Sequence, residues 1–208
     1  MDGMKKFGTA PGHPFAPVGS IFFTRGQSLL ARGIRWAERD PRTNEGESWA
    51  NHVGIVVNAG FFVPVTQRDS RAWVSEALWT VKYQDWYEAN KGKPGNAVAV
   101  MRPRNLSKEQ LKAIAADAMT RVGDRYAWWR IPGFLVERLT GWNVSKYYVL
   151  KDRNVCSNHA GLALEKGGIT FSQPAAQLDP DEMLDECFAR PDEFEFLGWS
   201  VVPGIAPF

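Results

Sequence analysis

The chain has 208 residues, a formal net charge of +2 from 25 basic and 23 acidic residues, and 44% hydrophobic with 23% charged content. That is the composition of an ordinary globular protein with a single core, and it excludes collagenous, low-complexity or largely disordered architectures. Near-balanced charge with no block of one sign lacks the footprint of a nucleic-acid binder, so nucleic acid is not an expected partner.

Met1 to Val18 carries Lys5 and Lys6, but Phe7-Gly8-Thr9-Ala10-Pro11-Gly12-His13-Pro14 interrupts any apolar stretch, so no secretory signal core is expected. Runs such as Val53 to Val57 are too short to span a bilayer, so no integral membrane segment is expected. The default location on these grounds is the cytoplasm, with non-Sec export or release by lysis compatible. Two cysteines, Cys156 and Cys187, are too few for a disulfide scaffold and suit a reducing compartment.

Gly19 to Thr24 reads as a first strand, and Gln27 to Glu38 carries Leu30, Ile34 and Ala37 at helical spacing. Asp40 to Glu47, with Pro41 and Gly46, is a loop leading to a strand over Asn51 to Asn58. Pro64 and Gln67-Arg68-Asp69-Ser70 mark a second connection before a strand over Ala72 to Ala77, and these two strands are expected to pair antiparallel. Val98 to Pro103 supplies another strand. Ser107-Lys108-Glu109-Gln110 is a capping-box pattern ahead of Leu111, Ile114, Ala115, Ala118 and Met119, in a helix ending near Gly123. Val155 to Glu165, closed by Gly167-Gly168, and Asp181 to Ala189 are further helices, followed by a strand over Phe194 to Val202. No internal repeat is present. A mainly antiparallel sheet with helices packed on it makes the expected class α+β.

If a helix begins at Asn154 or Val155, Cys156 lies in its first turn, where unpaired backbone N–H groups and the positive dipole end favour a thiolate. The competing reading is a small buried apolar residue. His52 opens a run in which Val53, Ile55 and Val57 face one way and His52, Gly54 and Val56 the other, so Gly54 is expected to leave room beside the ring for a helix end or a substrate. Glu76, between Ser75 and Ala77 on the next strand, is a carboxylate in an apolar stretch and needs a partner. It either accepts the second ring N–H of His52, completing a Cys156-His52-Glu76 triad, or pairs with an arginine. His159, one helical turn after Cys156, is an alternative base or metal ligand. A zinc site from Cys156, His159, Cys187 and His52 matches no compact ligand spacing, and no metal is expected.

The landmarks Val18-Gly19-Ser20-Ile21-Phe22-Phe23, Asn51-His52-Val53-Gly54-Ile55-Val56, Val74-Ser75-Glu76-Ala77, Gly123-Asp124-Arg125-Tyr126 and Val155-Cys156-Ser157 together resemble the NlpC-type papain-like hydrolases. Their order is that of the circularly permuted YiiX-like group, in which the histidine segment precedes the cysteine segment. The resemblance implies one permuted papain-like domain over 1–208, with Cys156 as nucleophile, His52 as base and Glu76 as the orienting residue. It also implies that Tyr126 lies beside the nucleophile, its hydroxyl helping the Cys156 backbone N–H to hold an oxyanion. Core packing of Tyr126 is the alternative. Ser20 stands where an acidic residue is common in that family, and Ala127 where an aspartate often follows the tyrosine.

An aromatic-rich insert at about 127–150 holds Trp128, Trp129, Phe134, Trp142, Tyr147 and Tyr148 and is expected to form a lid, a pocket wall or part of the core. The expected activity is amide hydrolysis through an acyl-enzyme, on a peptide or cell-wall fragment and without a cofactor. An acyl-lipid hydrolase or acyltransferase on the same residues, and a noncatalytic lipid- or peptide-binding module, are the alternatives.

Overall fold

The structure is a computed structural model that describes residues 12, 14–38, 48–62, 70–126, 153–175 and 178–202. The aromatic-rich segment 127–150, the loop expected at Asp40 to Glu47, and Pro64 and Gln67-Arg68-Asp69 of the second expected connection lie outside these residues. In chain order the elements are β1 (Phe15–Ala16), β2 (Ile21–Arg25), α1 (Leu29–Glu38), β3 (His52–Asn58), β4 (Gly60–Phe61), β5 (Trp73–Ala77), β6 (Val81–Asp85) and α2 (Trp86–Asn90). There follow β7 (Ala97–Pro103), α3 (Lys108–Thr120), β8 (Arg125–Tyr126), β9 (Arg153–Asn154), α4 (Cys156–Lys166), α5 (Pro180–Ala189) and β10 (Phe194–Val201).

Six strands form one sheet in the order β10-β7-β2-β3-β5-β6, with every neighbouring pair antiparallel. The class is therefore α+β, as the segment pattern predicts. On one face Ile21, Phe23, Val53, Ile55 and Met101 pack against Ile114 and Ala118 of α3, Ala160 and Leu164 of α4, and Met183 and Leu184 of α5. On the other face Phe22, Val56, Val74, Val98 and Val100 pack with Ala16, Phe62 and Trp86. The three central strands are covered on both sides, which is why they read as nearly unbroken apolar runs. β6 is an edge strand with exposed Lys82 and Tyr83, so neither its pattern nor the five-residue α2 behind it stands out in the sequence.

Capping fixes the helices that face the sheet. Ser107 Oγ accepts from Gln110 N at 3.1 Å and Gln110 Oε1 accepts from Ser107 N at 2.9 Å, the reciprocal box expected at the start of α3. Gln110 Nε2 also donates to Gly167 O at 2.9 Å, tying the start of α3 to the end of α4. Gly168, at φ +88, closes α4 in a conformation that side chains seldom adopt. At α5 the structure adds a cap absent from the sequence reading: Asp179 and Glu182 form a second box with Pro180 in the first turn, so the helix begins before Asp181.

Candidate active site

His52 is the first residue of β3, and the chain entering it is pinned by side chains from distant elements. Asp181 Oδ1 accepts from Trp49 N at 2.8 Å and from Ala50 N at 2.9 Å. Asn51 N donates to Thr24 O at 3.0 Å, and Asn51 Oδ1 accepts from Gly26 N at 2.6 Å. Register then does the rest: Thr24 pairs with His52 and Gly54 pairs with Glu76, so His52 and Glu76 stand on the same sheet face of adjoining strands.

His52 Nε2 lies 2.5 Å from Glu76 Oε2, with only 12% and 4% of the two side chains exposed. Of the two readings of Glu76, the histidine partner is the one found. Its other oxygen, Oε1, accepts from Gln84 Nε2 at 2.5 Å. Nε2 is occupied by the carboxylate, which leaves Nδ1 as the ring nitrogen for another partner, and Cys156 is the neighbour that raises the His52 pKa most.

The space over Gly54 corrects the expectation that it admits a helix end or a substrate. A Cβ built there would fall 2.6 Å from Phe22 Cε1 and 2.7 Å from Ser75 O. The missing side chain makes room for the Phe22 ring from β2, which also meets the His52 ring edge-on with centroids 6.3 Å apart. Phe22 thus forms one wall of the histidine, a role invisible in the sequence because Phe22 sits in an apolar run that packing alone explains.

Cys156 is the first residue of α4 and is 5% exposed. The N-cap, Val155, has no side chain able to satisfy the first-turn N–H groups, so the dipole end is left for the sulfur. Burial pushes the thiol up, but the hydrogen bond and charge of His52, with the backbone N–H groups of Val53 and Ser157, outweigh it and hold Cys156 below the ordinary thiol value. Burial likewise disfavours the imidazolium, yet Cys156 and then Glu76 raise His52 to about 10. Glu76 is pushed up by its own burial and brought below the ordinary carboxylate value by His52, with help from Gln84 and Lys93. Each shift favours the charged form of its group: Cys156 and Glu76 are held below their ordinary values and His52 above its own.

His159 is placed otherwise. It is fully buried in α4, and its Nε2 lies 3.1 Å from Ser75 Oγ, which donates to Ala118 O at 3.0 Å. The hydroxyl proton being committed to the carbonyl, Nε2 carries the ring proton and Nδ1 is left as a buried acceptor without a hydrogen bond. Burial and the nearby Arg121 charge depress its pKa to about 4. It is a neutral histidine locking α4 to β5 and α3. Cys187, buried in α5, has its thiol pushed well above the ordinary value by burial. Among the described residues no group of three or more His, Cys, Asp or Glu side chains is gathered as a metal site.

Tyr126 contributes its backbone to β8, which pairs in parallel with β9 so that Tyr126 lies opposite Asn154, two residues before Cys156. Its side chain, like the segment 127–150, lies outside the described residues. The partner missed at the sequence level is Gln84. The hairpin register that places Glu76 opposite Lys82 puts Gln84 one diagonal step away on the same face, but that register needs β6 to be recognised first.

No protein-family model and no curated protein matches the chain. Among solved structures, it is similar to the crystal structure of the metalloprotein YiiX from Escherichia coli O157:H7. The similarity has a TM-score of 0.48 and 18% sequence identity, over 91% of this chain and 98% of that one. Among the described residues, no helix is long and apolar enough to cross a membrane.

Proposed function

We propose that the protein is a cysteine hydrolase that cleaves an amide bond through an acyl-enzyme, with Cys156 as nucleophile, His52 as general acid and base, and Glu76 as the orienting carboxylate. The observation that carries this reading is the buried His52 Nε2–Glu76 Oε2 contact, with the Cys156 thiol and the His52 ring each shifting the other's pKa toward its charged form and Cys156 at the start of a helix with no side-chain cap. A histidine buried merely for packing would not be held charged between a thiol and a carboxylate.

In the reaction so proposed, the Cys156 thiolate attacks the carbonyl carbon of the amide, the carbon–sulfur bond forms, and the carbonyl electron pair moves to oxygen. The backbone N–H of Cys156, in a first turn without a side-chain cap, is put forward as the donor to that oxyanion, with the Tyr126 hydroxyl as its companion. The Nδ1 proton of His52 passes to the amine as the carbon–nitrogen bond breaks, leaving a thioester. Neutral His52 then takes a proton from water, the resulting hydroxide attacks the thioester, and the thiolate is released as the acid product forms. Glu76 keeps its charge throughout.

The reading is tested by alkylating the protein with iodoacetamide across the pH range and following Cys156 and Cys187 separately by mass spectrometry. Cys156 is expected to react well into the mildly acidic range and far faster than Cys187, and His52→Ala is expected to abolish that advantage. Equal, slow labelling of both cysteines would exclude a thiol enzyme. Selective labelling would be followed by turnover assays on small peptides and cell-wall stem peptides, with acyl esters as the competing substrate class.

A further inference from the structure

Glu76 is nearly completely buried, and both of its carboxylate oxygens are engaged: Oε2 by His52 and Oε1 by the side-chain amide of Gln84 at 2.5 Å. Gln84 belongs to β6, the edge of the sheet, where polar side chains ordinarily turn to water; here the amide is turned inward to a buried acceptor. We propose that Gln84 is a positioning residue of the Cys156-His52-Glu76 site: it fixes the plane of the Glu76 carboxylate so that Oε2 stays aligned on His52 Nε2. The inference rests on the function proposed above and adds to it a residue that touches neither the substrate nor the reacting atoms.

The choice of side chain has a physical reason. A carboxylate with one oxygen unbonded in a buried site can rotate away from the imidazole, and the orphaned oxygen is itself unfavourable. A cation at this position would supply a donor but would also neutralise Glu76 and compete with the imidazolium for it. Lys82, directly opposite Glu76 in the β5–β6 register, is instead exposed, and Lys93 in the turn before β7 acts only through its charge. His159, on α4 behind the sheet, is neutral above acid pH. Glutamine donates a hydrogen bond, carries no charge and does not titrate, so it leaves all of the Glu76 charge to His52 at any pH.

The test is the pH profile of Cys156 alkylation by iodoacetamide in the full chain, compared between wild type, Gln84→Met and Gln84→Glu. Both replacements match glutamine in length, and the position is only partly buried, so both are expected to fold. Met removes the donor; Glu removes it and sets a second carboxylate against the first. With Gln84→Met the rate at about pH 6 is expected to fall about threefold or more, and the acidic limb of the profile to move up by about half a unit or more, as expected for a lost charge-assisted hydrogen bond felt through Glu76. Gln84→Glu is expected to shift the profile further. A merely structural glutamine would lower the melting temperature and leave the profile where it was. If wild-type Cys156 is selectively reactive and both variants superimpose on it, the positioning role is refuted and the thiol site stands. If wild-type Cys156 is itself inert, the proposed function fails, and the positioning role with it.

Discussion

The buried His159 gives a prediction whose size follows from its surroundings. Its folded-state pKa of about 4 lies below the ordinary 6.5, so the unfolded chain takes up a proton on acidification before the native one does. The sign is therefore fixed: the stability held by neutral His159 is complete above 6.5 and is lost progressively as pH falls toward about 4. The gap corresponds to about 3 kcal/mol in full, of which about 2 kcal/mol is lost by about pH 5. The whole-protein profile will not display this alone, because Asp179 acts the other way. Burial first, and then Glu182, raise its carboxyl to about 7, so the native state is relieved as that group takes its proton on acidification. The measurement is accordingly a difference. Urea unfolding of wild type and His159→Gln is compared at about pH 7.5 and about pH 5, where the glutamine amide still reaches toward Ser75 and does not titrate. Wild type is expected to lose about 2 kcal/mol more than the variant over that interval, Asp179 cancelling between them. Parallel losses would refute the placement of a neutral His159 against Ser75 and Arg121. In the same variant, selective alkylation of Cys156 is expected to persist, since His52 rather than His159 faces the sulfur.

Other expectations test the packing and electrostatics around the site. Gly54→Ala must displace a buried ring and meet a backbone carbonyl, so a loss of about 2–3 kcal/mol is expected, or about 5–10 °C in melting temperature by thermal denaturation; a neutral effect would contradict the Phe22 contact. Asp181→Ala orphans the N–H groups of two buried residues, Trp49 and Ala50, and is expected to cost about 2–4 kcal/mol in chemical denaturation, with Asp181→Asn recovering part of it. Glu76→Gln keeps the shape but removes the charge that sustains the imidazolium. Cys156 alkylation at about pH 6 should slow by about tenfold or more, and an unchanged rate would separate Glu76 from the site.

Much of the framework was legible in the chain itself because its determinants are local. The Ser107–Gln110 box, the Gly167-Gly168 stop after α4, the apolar runs of β2, β3 and β7, and the placing of Cys156 at a helix start follow from capping chemistry, backbone freedom and burial, which act over a few residues. The pairing of β3 with β5 could also be anticipated, and with it the approach of His52 to Glu76. What only the tertiary structure decided depends on register and on contacts between segments far apart in sequence. Phe22 occupies the space over Gly54, His159 is turned onto Ser75 and away from the thiol, Asp181 anchors the entry to β3 from more than a hundred residues away, and Gln84 closes on Glu76 from an edge strand with no clear pattern of its own. A one-residue slip of either neighbouring strand would put these side chains on opposite faces of the sheet. Residue type and spacing name the groups able to do chemistry, whereas the alignment of strands determines which of them meet.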